Sequence, residues 1–90
     1  MALSEESVLR VKGTASVPPL ASAISHAVYE HKTVTLRAIG ASAISQAVKA
    51  AAVARGYVAP RGMDLKLIPG FTTVEMEDGK VTAITLRVVL

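Results

Sequence analysis

Two segments in which apolar and polar residues alternate, each followed by a helix-like run of small residues, constrain the fold most. In residues 7–12, Leu9 and Val11 fall on one side, and residues 33–38 repeat this alternation with many β-branched residues. Apolar residues then recur at helical spacing in two sets: Leu20, Ile24, Ala27 and Val28 in the first, and Ile44, Ala47, Val48 and Ala51 in the second. The pattern predicts two strand-to-helix units in succession.

The last third of the chain predicts two more strands. Residues 64–68 have the composition of a strand, and Pro69-Gly70 then predicts a bend, a sheet edge or a bulge. The run Glu77-Asp78-Gly79-Lys80 is typical of a hairpin turn, and residues 81–90 form a long alternating strand. Gly56 is expected to end the second helix as a left-handed cap.

The predicted order is therefore β-α-β-α-β-β. Right-handed crossovers and short connections then favour an α+β two-layer sandwich, with a mixed four-stranded sheet and both helices on one face. The length of 90 residues predicts a single domain over residues 1–90, with residues 1–6 as a flexible N-terminus. The other face of the sheet is left open.

Composition narrows the classes of function. Ala (15) and Val (12) dominate the hydrophobic residues, so the core must be close-packed from small side chains. Cysteine is absent, which removes disulfides, thiolate nucleophiles and cysteine-ligated metals. No apolar stretch approaches the ~20 residues of a membrane span, and the start is acidic, so we expect a cytoplasmic protein with no membrane partner.

Basic charge is concentrated in one part of the chain. The net charge is +3, yet residues 31–66 contain six Lys or Arg residues and a single acid, Asp64. Strand alternation also places half of the ten basic residues on the open sheet face: Arg10, Lys12, Arg37, Lys66 and Arg87. This segregation predicts a platform for a phosphate backbone, while an ordinary solvated sheet face remains the alternative.

The start of the second helix is a second candidate for phosphate binding. Free backbone N–H groups and the helix dipole favour anions at such an end. Pro18 and Pro19 remove donors from the first helix, whereas Gly40 and Ser42, next to Arg37, leave the second one open. A plain turn glycine is the alternative explanation for Gly40.

No pattern indicates an enzyme or a metal site. His26 and His31 are five residues apart, a spacing that does not place them on one helix face, and no acids complete a metal site. The serines lack a neighbouring base. We therefore expect no catalytic residue, no cofactor, no metal and no small-molecule substrate.

Three segments carry a resemblance to a known family. They are residues 40–50 (GASAISQAVKA), 54–60 (ARGYVAP) and 68–72 (IPGFT). The chain resembles the stage V sporulation protein S family from about Val8 to the C-terminus. This resemblance implies a small bacterial regulatory protein of late spore development or related processes, with an Alba-like fold and a dimer in related proteins.

Alba proteins bind DNA and RNA, so the resemblance also implies a nucleic-acid site. The expected contacts are Lys12, Arg37, Gly40 and Ser42, supported by Arg10, Arg55 and Arg61. Alba proteins also use a flexible basic hairpin between the last two strands. Here that hairpin is acidic, because it contains Glu75, Glu77 and Asp78, so nucleic acid would have to bind the body of a homodimer.

Two hypotheses follow. The first is a non-enzymatic homodimer that binds DNA or RNA with little sequence preference. The alternative is a protein-interaction adaptor that keeps the fold without binding nucleic acid. Its surface would be an edge strand or the small residues of the second helix: Ala43, Ala47, Ala50, Ala51 and Ala54.

Overall fold

The computed structural model describes residues 6–30 and 32–90. Its elements are β1 (Glu6–Val11), α1 (Val17–Tyr29), β2 (Thr33–Ala38), α2 (Ala41–Val58), a short 3₁₀ helix (Ala59–Arg61), β3 (Lys66–Met76) and β4 (Gly79–Val89). Most of the predicted flexible N-terminus, residues 1–5, and His31 lie outside the described residues, whereas Glu6 begins β1.

The strands form one mixed sheet in the order β1-β2-β4-β3. Strands β1 and β2 are parallel, as a strand-helix-strand crossover requires, and β4 runs antiparallel to both of its neighbours. Both helices pack on the same face of the sheet. The predicted element order and the α+β two-layer class are confirmed.

The core lies between this sheet face and the two helices. Its largest fully buried side chains are Ile24, Val34, Leu36 and Val58. Small residues line the helix surfaces around them, and buried alanines on both helices allow close approach: Ala21, Ala27, Ala43, Ala47, Ala50, Ala51 and Ala54. The alanines expected to serve an adaptor surface on the second helix are therefore buried inside the chain's own core, which corrects that expectation.

Helix α2 does not end at Gly56, as the sequence suggested. It continues to Val58, and the left-handed glycine is Gly62, with φ of 78°, after the 3₁₀ helix. The side chain of Val58 is completely buried. Packing of Val58 therefore outweighs the helix-weakening effect of Gly56, which costs about 1 kcal/mol relative to Ala.

Strand β3 is also longer than predicted. It runs through Pro69 and Gly70 without a bulge, because its register with β4 is unbroken from Lys66–Val89 to Met76–Gly79. Of the three predicted possibilities, the sheet edge is the correct one. Pro69 is tolerated because an edge strand leaves one row of its backbone groups without a strand partner.

Candidate nucleic-acid interface

Two arginines lie side by side on the open face of the sheet. Arg10 of β1 and Arg37 of β2 are direct partners in the parallel register, one step from Leu9–Leu36 and Val11–Ala38, which point toward the helices. Arg10 is exposed and Arg37 half-buried. In the described part of the chain, neither guanidinium has an ion-pair or hydrogen-bond partner. Their positive charge is left for an anion to neutralise.

The turn after β1 packs against the start of α2. A Cβ placed on Gly13 would lie only 2.9 Å from the Cβ of Ser42, so glycine is what allows this close approach. Gln46 reinforces the contact, since its Nε2 donates a 2.7 Å hydrogen bond to the backbone oxygen of Ala15. These two contacts therefore place Lys12, which precedes Gly13, near the N-terminal end of α2.

The start of α2 is open on one side. Gly40 has a positive φ of 90°, and no described atom lies within 4 Å of the position its Cβ would take. No described side chain caps this end, but the turn at Gly13 packs close to Ser42 and to the backbone N of Ala43. An anion would therefore approach from the Gly40 side, where the helix dipole favours a negative charge.

Arg10, Lys12 and Arg37 line one groove at the ends of β1 and β2. The groove measures about 460 Å³. Its opposite wall belongs to the β3–β4 hairpin, where Val74, Glu75 and Met76 lie. The predicted acidic hairpin thus contributes an acidic residue, Glu75, to the lining of the basic groove.

Two of the predicted site residues lie elsewhere. Arg55 is thirteen residues after Ser42 on the same helix, a separation of about 20 Å. Its guanidinium binds Asp64 Oδ1 through Nη2 at 3.0 Å and Nε at 3.3 Å. Arg61 lies over the ring of Tyr29, 4.2 Å from its centre. The groove brings together Arg10, Lys12 and Arg37, and the start of α2 with Gly40 and Ser42 adjoins it through Gly13. Arg55 and Arg61 lie at the far end of α2.

The pairing of Arg55 has an electrostatic consequence. Its hydrogen bonds, the nearby charge of Lys66 and its own charge hold the pKa of Asp64 below the usual 3.8. Lys66 Nζ lies 3.7 Å from Asp64 Oδ2. Asp64 therefore neutralises charge at this end of the molecule and not at the groove.

Arg87 belongs to the basic open face that strand alternation predicts, but it is not among the expected nucleic-acid contacts. It lies in the next row of that face. It is the register partner of Thr35, and Arg37 is the partner of Thr85. Alternation alone placed Arg87 on the open face, but only the pairing of β2 with β4 reveals how near it is to Arg37. Among residues 6–30 and 32–90, no three His, Asp or Glu residues are grouped as metal ligands would be. Nor is any helix in those ranges long and apolar enough to cross a bilayer.

The fold places this protein in a known structural class. The structure is similar to that of Alba from Thermoplasma volcanium, with a TM-score of 0.59 and 19% sequence identity over 91% of this chain and 95% of that one. The fold is therefore Alba-like. Residues 7–90 match the family described as stage V sporulation protein S, and the chain belongs to that family. Membership in this family, together with the fold, supports a small regulatory protein.

Proposed function

We propose that this protein is a non-enzymatic, cytoplasmic regulator that binds DNA or RNA with little sequence preference. The supporting observation is the unpaired, side-by-side arrangement of Arg10 and Arg37 in a groove with Lys12. Two like charges held together on a sheet repel each other, and an anion relieves that repulsion. A phosphate backbone is an extended anion that could neutralise both charges.

The start of α2 extends the proposed contact. Backbone N–H groups near Gly40 and the hydroxyl of Ser42 offer hydrogen bonds to phosphate oxygens. Contacts of this kind position nucleic acid without reading bases, since base recognition requires side chains that reach groove edges. The proposed binding is therefore insensitive to sequence and strongly dependent on salt.

Charge reversal tests the site. Fluorescence anisotropy with labelled duplex DNA and single-stranded RNA would compare the wild type with the Lys12→Glu/Arg37→Glu variant across a salt series. We expect binding at low salt, with a log–log salt slope of about 0.9 per phosphate contacted on duplex DNA, and a loss of at least about tenfold in affinity for the variant.

The control is the Arg55→Glu/Arg61→Glu variant, which changes the net charge by the same amount at the far end of α2. Arg55 and Asp64 are more than half exposed, so loss of their ion pair costs at most about 1 kcal/mol. The control should bind nearly as tightly as the wild type. Equal losses in both variants would show a diffuse charge effect, and unchanged binding in the Lys12/Arg37 variant would refute the site.

We also propose that the protein acts as a homodimer. Phe71 on the edge strand β3 is 77% exposed, and Val48 on α2 is 47% exposed. An exposed aromatic ring on an edge strand suits pairing with a second copy, and a domain of 90 residues has a modest core that association would supplement. Light scattering should give the dimer mass for the wild type and the monomer mass for the Phe71→Ser variant.

Glu75 supports the alternative, a protein-interaction adaptor with an Alba-like fold. This acidic residue lines the basic groove, and its negative charge repels phosphate. An adaptor would show no nucleic-acid binding even at low salt. Partner capture from nuclease-treated extract would then recover a protein, and the edge strands β1 and β3 would be the surfaces to mutate.

A further inference from the structure

A second depression lies on the open sheet face, at the centre of the β2–β4 pair and not at the strand ends. It measures about 450 Å³. Thr35 is opposite Arg87 and Arg37 is opposite Thr85, so the two arginines occupy one diagonal of a square and the two threonines occupy the other. All four residues line the depression.

This geometry suits a single anion. Diagonal neighbours on an antiparallel pair are about 7–8 Å apart, which is within reach of two long side chains that converge on one group between them. In the described part of the chain, neither Arg37 nor Arg87 has an ion-pair or hydrogen-bond partner, and no acidic side chain lines the depression. The threonine hydroxyls add two further donors.

Gly70 of β3 lies beside these four residues and has no side chain that would fill the space above them. It is the partner of Thr85, and a Cβ at this position would lie 3.0 Å from Thr85 Oγ1. Any larger residue would press on that hydroxyl and fill the space above it. Gly70 is not needed for backbone conformation here, because its φ is not positive.

The walls of the depression are apolar. Val8 on one side is 49% exposed and Ile68 on the other is 44% exposed. A cationic floor between apolar walls fits a small molecule with a phosphate and an apolar or planar body, and the volume lies in the range of small-molecule sites. Among the described residues, no aromatic side chain lines the depression, so they offer no platform on which single-stranded bases stack.

We infer that the open sheet face binds a small organic phosphate, such as a nucleoside monophosphate, with the phosphate between Arg37 and Arg87. The guanidinium groups of both arginines and the hydroxyls of Thr35 and Thr85 donate charge-assisted hydrogen bonds to the phosphate oxygens. This ligand is bound and not converted. The inference shares Arg37 with the proposed nucleic-acid groove but does not require that the protein bind nucleic acid.

Titration with adenosine monophosphate, followed by ¹⁵N NMR on the full chain, tests the site. We expect saturable shifts at the Arg87 side-chain N–H and at the backbone of Thr35 and Thr85. Arg87→Gln should weaken binding by about tenfold or more, and Thr85→Val by about threefold. The matched control, Arg61→Gln, removes a charge at a distant position and should leave affinity unchanged.

Two further ligands identify the recognised group. Inorganic phosphate should shift the same resonances with weaker affinity, and adenosine without phosphate should produce no saturable shift. The inference would be overturned if adenosine bound as tightly as adenosine monophosphate, or if Arg87→Gln left affinity unchanged. It would also be overturned if the wild type did not bind, or if the shifts were confined to Lys12, Gly40 and Ser42.

The two sites can fail separately. Lys12→Glu should abolish most nucleic-acid binding and retain affinity for adenosine monophosphate, because Lys12 does not line the depression. Arg87→Gln should weaken the binding of adenosine monophosphate and retain most nucleic-acid binding, because Arg87 does not line the groove. A protein that binds no nucleic acid and still shows the Arg87-dependent shifts would refute the proposed function alone.

Discussion

Arg10 and Arg37 are direct partners on parallel strands, and no described carboxylate neutralises either of them. Like charges in direct opposition on a sheet destabilise the fold. The repulsion between Arg10 and Arg37 therefore lowers folding stability unless an anion is bound. The same pair of residues thus reduces stability and favours anion binding.

The first prediction concerns this repulsion. Arg10→Gln should raise the free energy of unfolding by about 0.2–1 kcal/mol at low salt, because it removes one of two adjacent like charges. Urea denaturation would measure it. The gain should disappear near 1 M salt, where the Debye length is about 3 Å. Lys49→Gln, an exposed position on α2, is the control and should change little at either salt concentration. A gain that persists at high salt would point to packing and not to charge.

The second prediction concerns the contact between Gly13 and Ser42. Gly13→Ala should destabilise the protein by about 1–3 kcal/mol, because its Cβ would lie 2.9 Å from the Ser42 Cβ. Gly56→Ala is the matched control. It lies within α2 with open space around its Cβ position, so it should stabilise by about 0.5–1 kcal/mol. Thermal unfolding of both variants would measure the difference, and a neutral Gly13→Ala would contradict the close packing.

A third prediction follows from Glu75 on the wall of the groove. Glu75→Gln should raise affinity for duplex DNA by about two- to tenfold at low salt, since it removes a negative charge from a residue that lines the groove with Arg10 and Lys12. Glu30→Gln has the same change in charge at the end of α1, where Glu30 pairs with Lys32, and should have little effect. Equal gains in both variants would indicate net charge alone.

The fourth prediction concerns the carboxyl group of Asp64. Its pKa is lowered in the folded state, chiefly by the hydrogen bond from Arg55, so its contribution to stability is present above pH 3.8 and is lost as pH falls through the folded value. NMR titration should give a midpoint below 3.8 in the wild type. Arg55→Gln should move that midpoint upward, and an unchanged midpoint would mean that Lys66 and not Arg55 dominates.

Alternation and turn residues were sufficient to predict the element order. Each strand has one face turned to the helices, so the apolar positions of residues 33–38 specified that face without further information. The errors came from residues whose local preference was overridden. Helix α2 continues past Gly56 because Val58 is buried. Strand β3 continues through Pro69 because it is an edge strand.

The candidate site was only partly predictable for a related reason. The alternation of side chains along each strand predicts that Arg10, Arg37 and Arg87 share one face of the sheet. Which of them are neighbours depends on strand order and register, and these cannot be read from the sequence. The same holds for Arg55 and Arg61. Their partners, Asp64 and Tyr29, belong to segments that only tertiary packing brings near.

The hairpin of β3 and β4 extends beyond the rest of the sheet. The last β2–β4 pair is Ala38–Ile84, and five further β3–β4 pairs continue to Met76–Gly79. Ala83 is the one buried residue among those ten. Substitutions at the other nine positions therefore remove little buried surface. The charge of this ribbon can change while the layered body of helices and sheet stays intact.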